Sequence, residues 1–336
     1  MKSLLVNELV APEDGVFLTT EPFNAEPPRI SLISSYLTPV DFFYERNHGP
    51  VPVVDDIQSY RLAIGGLVEK PLELSLVDIK KLPKYDVTAT LQSAGNRRTA
   101  MRKIKAVKRF GWDVSAIGNG MPFASTLLTA IWGGAKLADV LELVGIPKST
   151  RTTSSGEENG GPYKSSISLT HVTNPEADVL LAYEMNEEVL ILLNGWVQST
   201  YSQKNARAFS CKGTTRCFLP PLNGKISTGP LVSHKWIFQS SAICSLEDVD
   251  TVQHGKITVN GYVVSGGGCG IERVNVSIDG SKTRVEASRY QNIGIPYAAD
   301  AADDDIENDK WAWVFFKAKG DVFQNTDIVS KAISIC

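Results

Sequence analysis

The sequence lacks any apolar run long enough to cross a bilayer as a helix. Its longest apolar stretches, such as residues 179–183 and 189–193, are far shorter than the roughly 20 residues that a spanning helix needs. An excess of basic charge is also missing, because 34 Lys and Arg face 37 Asp and Glu, a net charge of −3. This balance argues against non-specific nucleic-acid binding, which depends on a basic field. Neither a membrane nor a nucleic acid is an expected partner.

Paired cysteines and targeting signals are scarce as well. The five cysteines are odd in number and show no Cys-x-x-Cys spacing, which is typical of a reduced, intracellular protein. Residues 1–8 contain no apolar stretch of signal-peptide length. The terminal Ile335-Cys336 matches neither a prenylation box nor a peroxisomal tripeptide. We therefore expect a soluble intracellular protein.

The first half of the chain contains signals for strands and for two helices. Alternation predicts strands at residues 60–67 and 87–92, and Ser75 begins a capping-box pattern for a short helix that Pro83 ends. A second helix is predicted over residues 135–144, where apolar residues recur at i, i+3, i+4 and i+7 before a glycine. With 336 residues, two domains are the better expectation.

The second half divides into an irregular stretch and an all-β region. Residues 194–237 are rich in Ser, Thr, Asn, Gly and Lys and show little period of 2 or 3.6, which is unusual within a compact domain. From Lys256 onward, alternating segments at 257–263, 274–278, 311–315 and 327–333 predict short strands, with a turn at Asp279-Gly280. This pattern favours a small β-sandwich.

Several segments, taken in order, resemble one family of enzymes. Residues 42–52 (FFYERNHGPVP), 89–98 (ATLQSAGNRR), 132–135 (WGGA) and 175–186 (PEADVLLAYEMN) are similar to blocks of sulfite oxidases and of the molybdenum domain of plant nitrate reductases. Residues 160–167 resemble the plant sulfite oxidases, which lack a haem domain. Each segment alone would be read as surface or core. Their order and spacing over residues 20–190 and 238–333 carry the resemblance.

The resemblance implies an α+β fold, in which a sulfite-oxidase-type molybdopterin-binding domain precedes an immunoglobulin-like β-sandwich. The expected divisions are an N-terminal arm at 1–35, the molybdopterin-binding oxidoreductase domain at 36–190, an irregular segment at 191–237 and a truncated dimerisation domain at 238–336. The implied cofactor is molybdenum-molybdopterin without haem.

The resemblance also implies the site residues. Sulfite is an anion, and forked guanidinium donors suit an anion pocket. By the matching motifs, Arg46, Arg98 and Trp112 would form the catalytic pocket. The residues expected to bind the cofactor are Tyr44, Glu45, His48, Asn96 and Ser165.

Three features depart from the family pattern. Ser93 stands where the family has its molybdenum-ligating cysteine, so a hard hydroxyl replaces a soft thiolate as the metal ligand. Cys269 stands where the family has an arginine that reaches the sulfite pocket. Residues 191–237 do not resemble the family block that wraps the phosphate end of the cofactor.

Several hypotheses for function remain open at this point. The first is oxidation of sulfite to sulfate by a homodimer, with molecular oxygen as electron acceptor. The second is an inactive homologue, which Ser93 and Cys269 favour. Nitrate reduction and a non-enzymatic interaction module are weaker alternatives. The family's plant members are peroxisomal, but this chain lacks their C-terminal signal, so a cytoplasmic location is the alternative.

Overall fold

The structure is a computed structural model in which the described residues are 16–20, 23–46, 56–92, 127–146, 169–189, 217–218, 225–228, 240–246, 255–265, 269–292, 295–297, 309–322 and 327–335. Within these ranges strands dominate and the α-helices are short. No helix of this described part is long and apolar enough to span a membrane.

The N-terminal region forms a small antiparallel sheet rather than only an extended arm. Strand β1 (Val16–Thr20) pairs with β2 (Phe23–Glu26), and β2 pairs with β3 (Glu45–Arg46). A 3₁₀ helix at Arg29–Ile33 and another at Val40–Phe42 connect these strands. The arm is thereby tied to the segment that holds the expected cofactor residues.

The first domain is built on two sheets. One has the order β10-β8-β7-β6, with β9 beside β8, and the other has the order β11-β4-β5. The strands are β4 (Arg61–Gly66), β5 (Leu72–Ser75), β6 (Lys84–Gln92), β7 (Leu127–Lys136), β8 (Leu180–Met185), β9 (Glu188–Val189), β10 (Cys217–Phe218) and β11 (Lys225–Thr228).

Capping residues mark the start of helix α1 and the end of helix α2 in this domain. Helix α1 (Leu76–Lys80) has a complete capping box, because the Ser75 hydroxyl accepts from the Asp78 amide while the Asp78 carboxylate accepts from the Ser75 amide. Helix α2 (Leu137–Val144) ends at Gly145, whose φ is +66°. Helix α3 is Leu169–Val172. The predicted α2 stripe faces a core shared with α1, β4 and β8.

Two of the strands in this domain lie within the segment at 191–237 that was expected to be irregular. Strand β10 runs parallel to β8, and β11 runs parallel to β4. The unusual stretch therefore contributes backbone pairing to both sheets of the first domain, because its short apolar or β-branched pieces meet exposed strand edges.

The second domain is a β-sandwich. One sheet has the order β12-β13-β18-β16-β17 and the other β15-β14-β19. The strands are β12 (Ser240–Ile243), β13 (Gly255–Val264), β14 (Gly270–Ser277), β15 (Val285–Glu286), β16 (Ser288–Gln291), β17 (Ile295–Pro296), β18 (Val314–Val322) and β19 (Val329–Ile335). The predicted strand at 311–315 begins later than expected, since Trp311 and Trp313 precede β18.

The last four residues of β13 and the first three of β18 are buried on both faces of the sheet. Val263 and Phe316 point into the core between the two sandwich sheets, whereas Tyr262 and Phe315 point the other way. Because side chains alternate along a strand, two separate cores share these strands. The core that contains Tyr262 and Phe315 also contains Leu32 of the N-terminal region, so the sandwich packs on that region.

Candidate cofactor site

Tyr44 is the described residue that points most clearly to a ligand. Its side chain is 2% exposed and packs in a cluster with Leu91 of β6 and Trp311 of the second domain. Its hydroxyl has no hydrogen-bond partner among the described residues. Burial raises the pKa of the phenol, so the hydroxyl stays neutral. A buried polar atom left unpaired costs about 1–3 kcal/mol, which a polar group of a bound molecule would recover.

Two expected site residues follow Tyr44 directly. Glu45 and Arg46 form β3, where the backbone of Arg46 pairs with Asn24 and that of Glu45 with Ala25. For these two residues the structure describes the backbone but not the side chains. Their pairing fixes the position of β3 beside β2. The segment that follows, with His48, lies outside the described residues.

Strand β6 leads to the expected metal-ligand position. It pairs with β7 from Lys84 to Gln92, and Leu91 at its end is buried beside Tyr44. Ser93 is the next residue after β6. The start of the ligand segment and the Tyr44 cluster therefore lie in the same part of the first domain.

A set of buried hydrogen bonds, which we call the polar seam, fixes β6 to its surroundings. The seam consists of Thr38, Thr90, Thr129 and Trp313. The Thr90 and Thr129 hydroxyls are 2.5 Å apart, and the Trp313 amide donates to the Thr90 hydroxyl at 2.8 Å. The Thr129 amide donates to the Thr38 hydroxyl at 3.0 Å. Because all three threonines are buried, these bonds hold β6, β7 and the second domain in one register.

A second contact joins the domains beside the seam. The indole N–H of Trp311 donates to the Asp178 carboxylate at 3.0 Å, and the Lys136 ammonium lies 3.6 Å from the other oxygen of that carboxylate. The Thr90 amide also donates to the carbonyl of Trp311 at 3.0 Å. Trp311 thus contributes a side chain from the second domain to the Tyr44 cluster.

Most of the sequence-predicted site lies outside the described residues. These positions are His48, Ser93, Asn96, Arg98, Trp112 and Ser165. Among the described residues there is no group of three or more His, Cys, Asp and Glu side chains able to hold a metal. The structure therefore brings together Tyr44, β3 and the end of β6, and it leaves the remaining members as predictions.

Cys269 corrects one expectation. It is half-buried, immediately precedes β14, and is disulfide-bonded. The prediction that the cysteines are all reduced is therefore wrong for this residue. Spacing along the chain misled the prediction, because a disulfide needs its two cysteines close in space and not close in sequence as in a Cys-x-x-Cys motif.

Comparison with known proteins identifies the two domains. Residues 48–196 match the family model described as oxidoreductase molybdopterin binding domain, and residues 236–335 match the Mo-co oxidoreductase dimerisation domain. The sulfite oxidase of Arabidopsis thaliana is 49% identical over 345 residues, covering 93% of this chain and 84% of that protein. The sulfite oxidase of Gallus gallus is 33% identical over 351 residues, covering 93% of this chain and 70% of that protein.

The chain belongs to the sulfite oxidase family. Its likeness to the plant protein agrees with the resemblance found in the sequence blocks. The crystal structure of the sulfane dehydrogenase from Paracoccus pantotrophus aligns with a TM-score of 0.61 at 19% identity, covering 99% of this chain and 84% of that one. This alignment supports the predicted fold, a molybdopterin-binding domain followed by a β-sandwich.

One family block has a structural explanation in this chain. Trp132 donates its indole N–H to the carbonyl of Ala89 at 3.0 Å, and the pairing of β7 with β8 shifts between Gly133 and Gly134. A side chain on Gly134 would collide with the backbone of Leu181. This sulfite oxidase block therefore shapes the sheet beneath the Tyr44 cluster.

The described residues fit a polar cofactor in one specific respect. Molybdopterin carries a polar pterin and a phosphate. The buried Tyr44 hydroxyl, which has no partner among the described residues, belongs to the segment where cofactor contacts are predicted. The seam residues and Trp311 were missed from the sequence. Threonines within a predicted strand give no local sign of burial, and the contacts of Trp311 depend on a domain far away in sequence.

Proposed function

We propose that this chain binds molybdenum-molybdopterin and oxidises sulfite to sulfate. The observation that carries the proposal is the buried Tyr44 hydroxyl, which has no partner among the described residues and belongs to a side chain packed against the end of β6. The 49% identity to a plant sulfite oxidase supports the substrate class. The proposed activity is inferred from the names of the relatives. Within this chain, the Tyr44 cluster supports the proposal of cofactor binding.

The residues divide into a cofactor group and a substrate group. Tyr44, Glu45, His48, Asn96 and Ser165 would hold the polar pterin and its phosphate through hydroxyl, amide, imidazole and carboxylate groups. Arg46 and Arg98 would bind the sulfite anion, with Trp112 as a wall of the pocket. Paired guanidinium groups suit this task because they remain charged and bind oxyanions in a forked geometry.

The chemistry is a two-electron oxidation. When bound, the cofactor supplies the oxygen-transfer and electron-accepting centre. Overall, sulfite and water give sulfate, two protons and two electrons, and molecular oxygen is the proposed acceptor of those electrons. The chain's own contribution is to orient sulfite through Arg46 and Arg98 and to hold the cofactor between the first domain and Trp311.

Ser93 is the position that decides turnover. A serine hydroxyl is a harder ligand than a thiolate and binds metal only after losing a proton with a much higher pKa. A bound cofactor with weak turnover is therefore the expected state of this chain. Loss of the family arginine at Cys269 removes a further anion donor from the pocket.

A catalytically inactive homologue is the second candidate, and Ser93 is the observation that favours it. Nitrate reduction remains a weaker alternative. The proposal extends to a homodimer formed through the dimerisation domain and to a site in the peroxisome or cytoplasm without haem. The proposed domain divisions are 1–35, 36–190, 191–237 and 238–336.

The test measures molybdenum content and sulfite turnover in the purified chain and in a Ser93→Cys variant. We expect close to one molybdenum per chain in both proteins and a turnover at least tenfold higher in the variant. The matched control is Ser59→Cys, a serine-to-cysteine change at an exposed residue, which should leave both quantities unchanged.

Two outcomes would overturn the proposal in different ways. Absence of molybdenum from both proteins would exclude cofactor binding. Bound molybdenum without sulfite turnover in the Ser93→Cys variant would establish the inactive homologue.

A further inference from the structure

We propose that the disulfide at Cys269 joins it to Cys336 and fastens the edge strand β19 to β14. The inference goes beyond the proposed enzyme activity and does not depend on it. Its starting point is the pairing register, in which Gly270 of β14 lies opposite Ile335 of β19 in an antiparallel ladder. If that register continued by one residue, Cys269 would lie opposite Cys336, which is outside the described residues.

The distance across such a pair suits a disulfide. Directly opposed residues in an antiparallel pair have Cα atoms about 4.5–5.5 Å apart, and disulfides form over about 4.4–6.8 Å. At that spacing the bond would form without displacement of either strand.

The other cysteines fit less well. Cys244 is buried behind β12, and its thiol donates to the carbonyl of Ala242. Cys217 lies in β10, which pairs with β8 in the first domain rather than with the sandwich. Cys211 lies outside the described residues, and no described strand register leads to it. The register therefore selects Cys336.

Strand β19 is an edge strand with little burial of its own. It lies at the edge of its sheet, and among the described strands its ladder partner is β14. Each of its seven residues is half-buried or exposed, whereas β14 has four buried positions. The Ser330 hydroxyl donates to that of Ser241 at 3.3 Å, a weak side-chain link to the facing sheet. Little apolar burial therefore retains β19, and a crosslink would add what burial does not.

The far side of the Cys269 segment is already fixed. The Arg289 guanidinium donates to the carbonyls of Ile271 and Glu272, and the Ile271 amide donates to the Tyr297 hydroxyl. Cys269 is thus presented from a rigid strand end, so the bond would restrain β19 rather than displace β14. The long chain segment enclosed by the two cysteines increases the stabilisation, because closing a long loop restricts the unfolded chain more.

The bond makes the attachment of β19 dependent on redox conditions. One cysteine thiolate attacks a low-molecular-weight disulfide such as oxidised glutathione and releases one thiol. The second cysteine then attacks the mixed disulfide and releases the other thiol. The two protein thiols are oxidised as one glutathione disulfide is reduced to two glutathione molecules. In a strongly reducing compartment the strand would be held by its hydrogen bonds and packing alone.

The test counts free thiols in the full-length protein purified without reductant, after acid quenching and denaturation. Of the five cysteines, we expect three to react in the unreduced protein and all five after reduction. Cys336→Ser should yield four reactive thiols without reduction, because it frees Cys269. The matched controls Cys211→Ser and Cys217→Ser should yield two. Mass spectrometry of the unreduced digest should show the Cys269 peptide linked to the Cys336 peptide.

A second measurement addresses the effect on stability. Reduction should lower the Tm of the wild-type chain by several degrees and leave the Tm of Cys336→Ser unchanged. Five reactive thiols in the unreduced wild type would overturn the proposal. Two reactive thiols in Cys336→Ser would overturn it as well, because Cys269 would then be joined to another cysteine.

Discussion

The polar seam between the domains and the core of the β-sandwich are equally buried but chemically different. The seam contains three threonines that are at most 1% exposed, each hydrogen-bonded. The sandwich core is lined by buried apolar residues such as Val259, Val276 and Phe316. An apolar core depends on volume, whereas a polar contact tolerates few geometries. Close packing of apolar side chains thus stabilises the sandwich, whereas hydrogen bonds of defined geometry align β6, the strand that precedes Ser93.

The difference between seam and core predicts that the largest loss of stability follows from a change in the sandwich core. Phe316 is fully buried, and Phe316→Ala should lower the free energy of unfolding by about 3–5 kcal/mol through lost burial and a cavity. Guanidinium denaturation measures the change. Val285→Ala, at a strand residue that is 46% exposed, is the control and should cost less than about 0.5 kcal/mol. A loss below 1 kcal/mol at Phe316 would show that the core does not depend on volume.

The seam should respond to polarity at nearly constant volume. Thr90→Val removes the acceptor of the Trp313 amide and the partner of Thr129, so we expect a loss of about 1–3 kcal/mol. Thr90→Ser keeps the hydroxyl and should retain most of the stability. The double variant Thr90→Val/Thr129→Val should cost less than the sum of the single changes, since it removes both hydroxyls together. Equal stability of Thr90→Val and Thr90→Ser in urea denaturation would contradict the role of the hydrogen bonds.

Tyr44 should give an effect of opposite sign. Tyr44→Phe removes a buried hydroxyl that lacks a partner among the described residues, so the cofactor-free chain should gain about 1 kcal/mol. Tyr60→Phe is the matched control, because the Tyr60 hydroxyl is likewise buried and without a described partner in a different cluster. Both changes should stabilise the free chain, but Tyr44→Phe alone should lower molybdenum retention. Retention unchanged by Tyr44→Phe would separate this tyrosine from the cofactor.

The smallest effect concerns acid stability at the α1 cap. Hydrogen bonds from the Ser75 hydroxyl and from Lys81 lower the pKa of Asp78 from 3.8 to about 2. Because the folded pKa lies below the unfolded one, the stabilisation is present above pH 3.8 and is lost as the pH falls toward 2. The urea midpoint of the wild type should therefore decline over this window, and Asp78→Asn should show a flatter profile. Parallel curves for the two proteins would contradict the assignment.

The same pH experiment has a counterpart in the sandwich. The Asp279 carboxylate accepts from the hydroxyl and amide of Thr283, which lower its pKa to about 2. Asp279→Asn should therefore flatten the dependence of the urea midpoint on pH between 3.8 and about 2, in the same direction as Asp78→Asn. A dependence confined to one variant would show that the two acidic groups act in separate unfolding units.

Local patterns in the sequence predicted helices α1 and α2 and several of the strands. The capping box at Ser75 and the four-residue stripe of α2 are encoded within one or two helical turns, and both are confirmed. The alternation that predicted β13 and β14 is also confirmed, because a period of two needs only the pleat of the strand itself. The order of the sequence blocks indicated the family, and the relatives agree.

Elements that depend on distant partners were beyond such reasoning. Trp311 and Trp313 alternate like strand residues, yet they meet β6 and Asp178 from another domain before β18 begins. Strand β11 lies within a segment without periodicity and exists through its pairing with β4. The roles of His48, Ser93, Asn96, Arg98, Trp112 and Ser165 rest on matched motifs and stay predictions.

The sequence by itself determined helices α1 and α2, the alternating strands and the family, because each depends on residue type and short spacing. The departures at Ser93 and Cys269 stay predictions. Only the tertiary structure decided that Thr90 is buried at a domain contact, that Tyr44 lacks a described partner and that the end of β14 meets the end of β19. The physical reason is that hydrogen-bond satisfaction and strand register are properties of pairs of segments far apart in the chain. No local pattern specifies which pairs will meet.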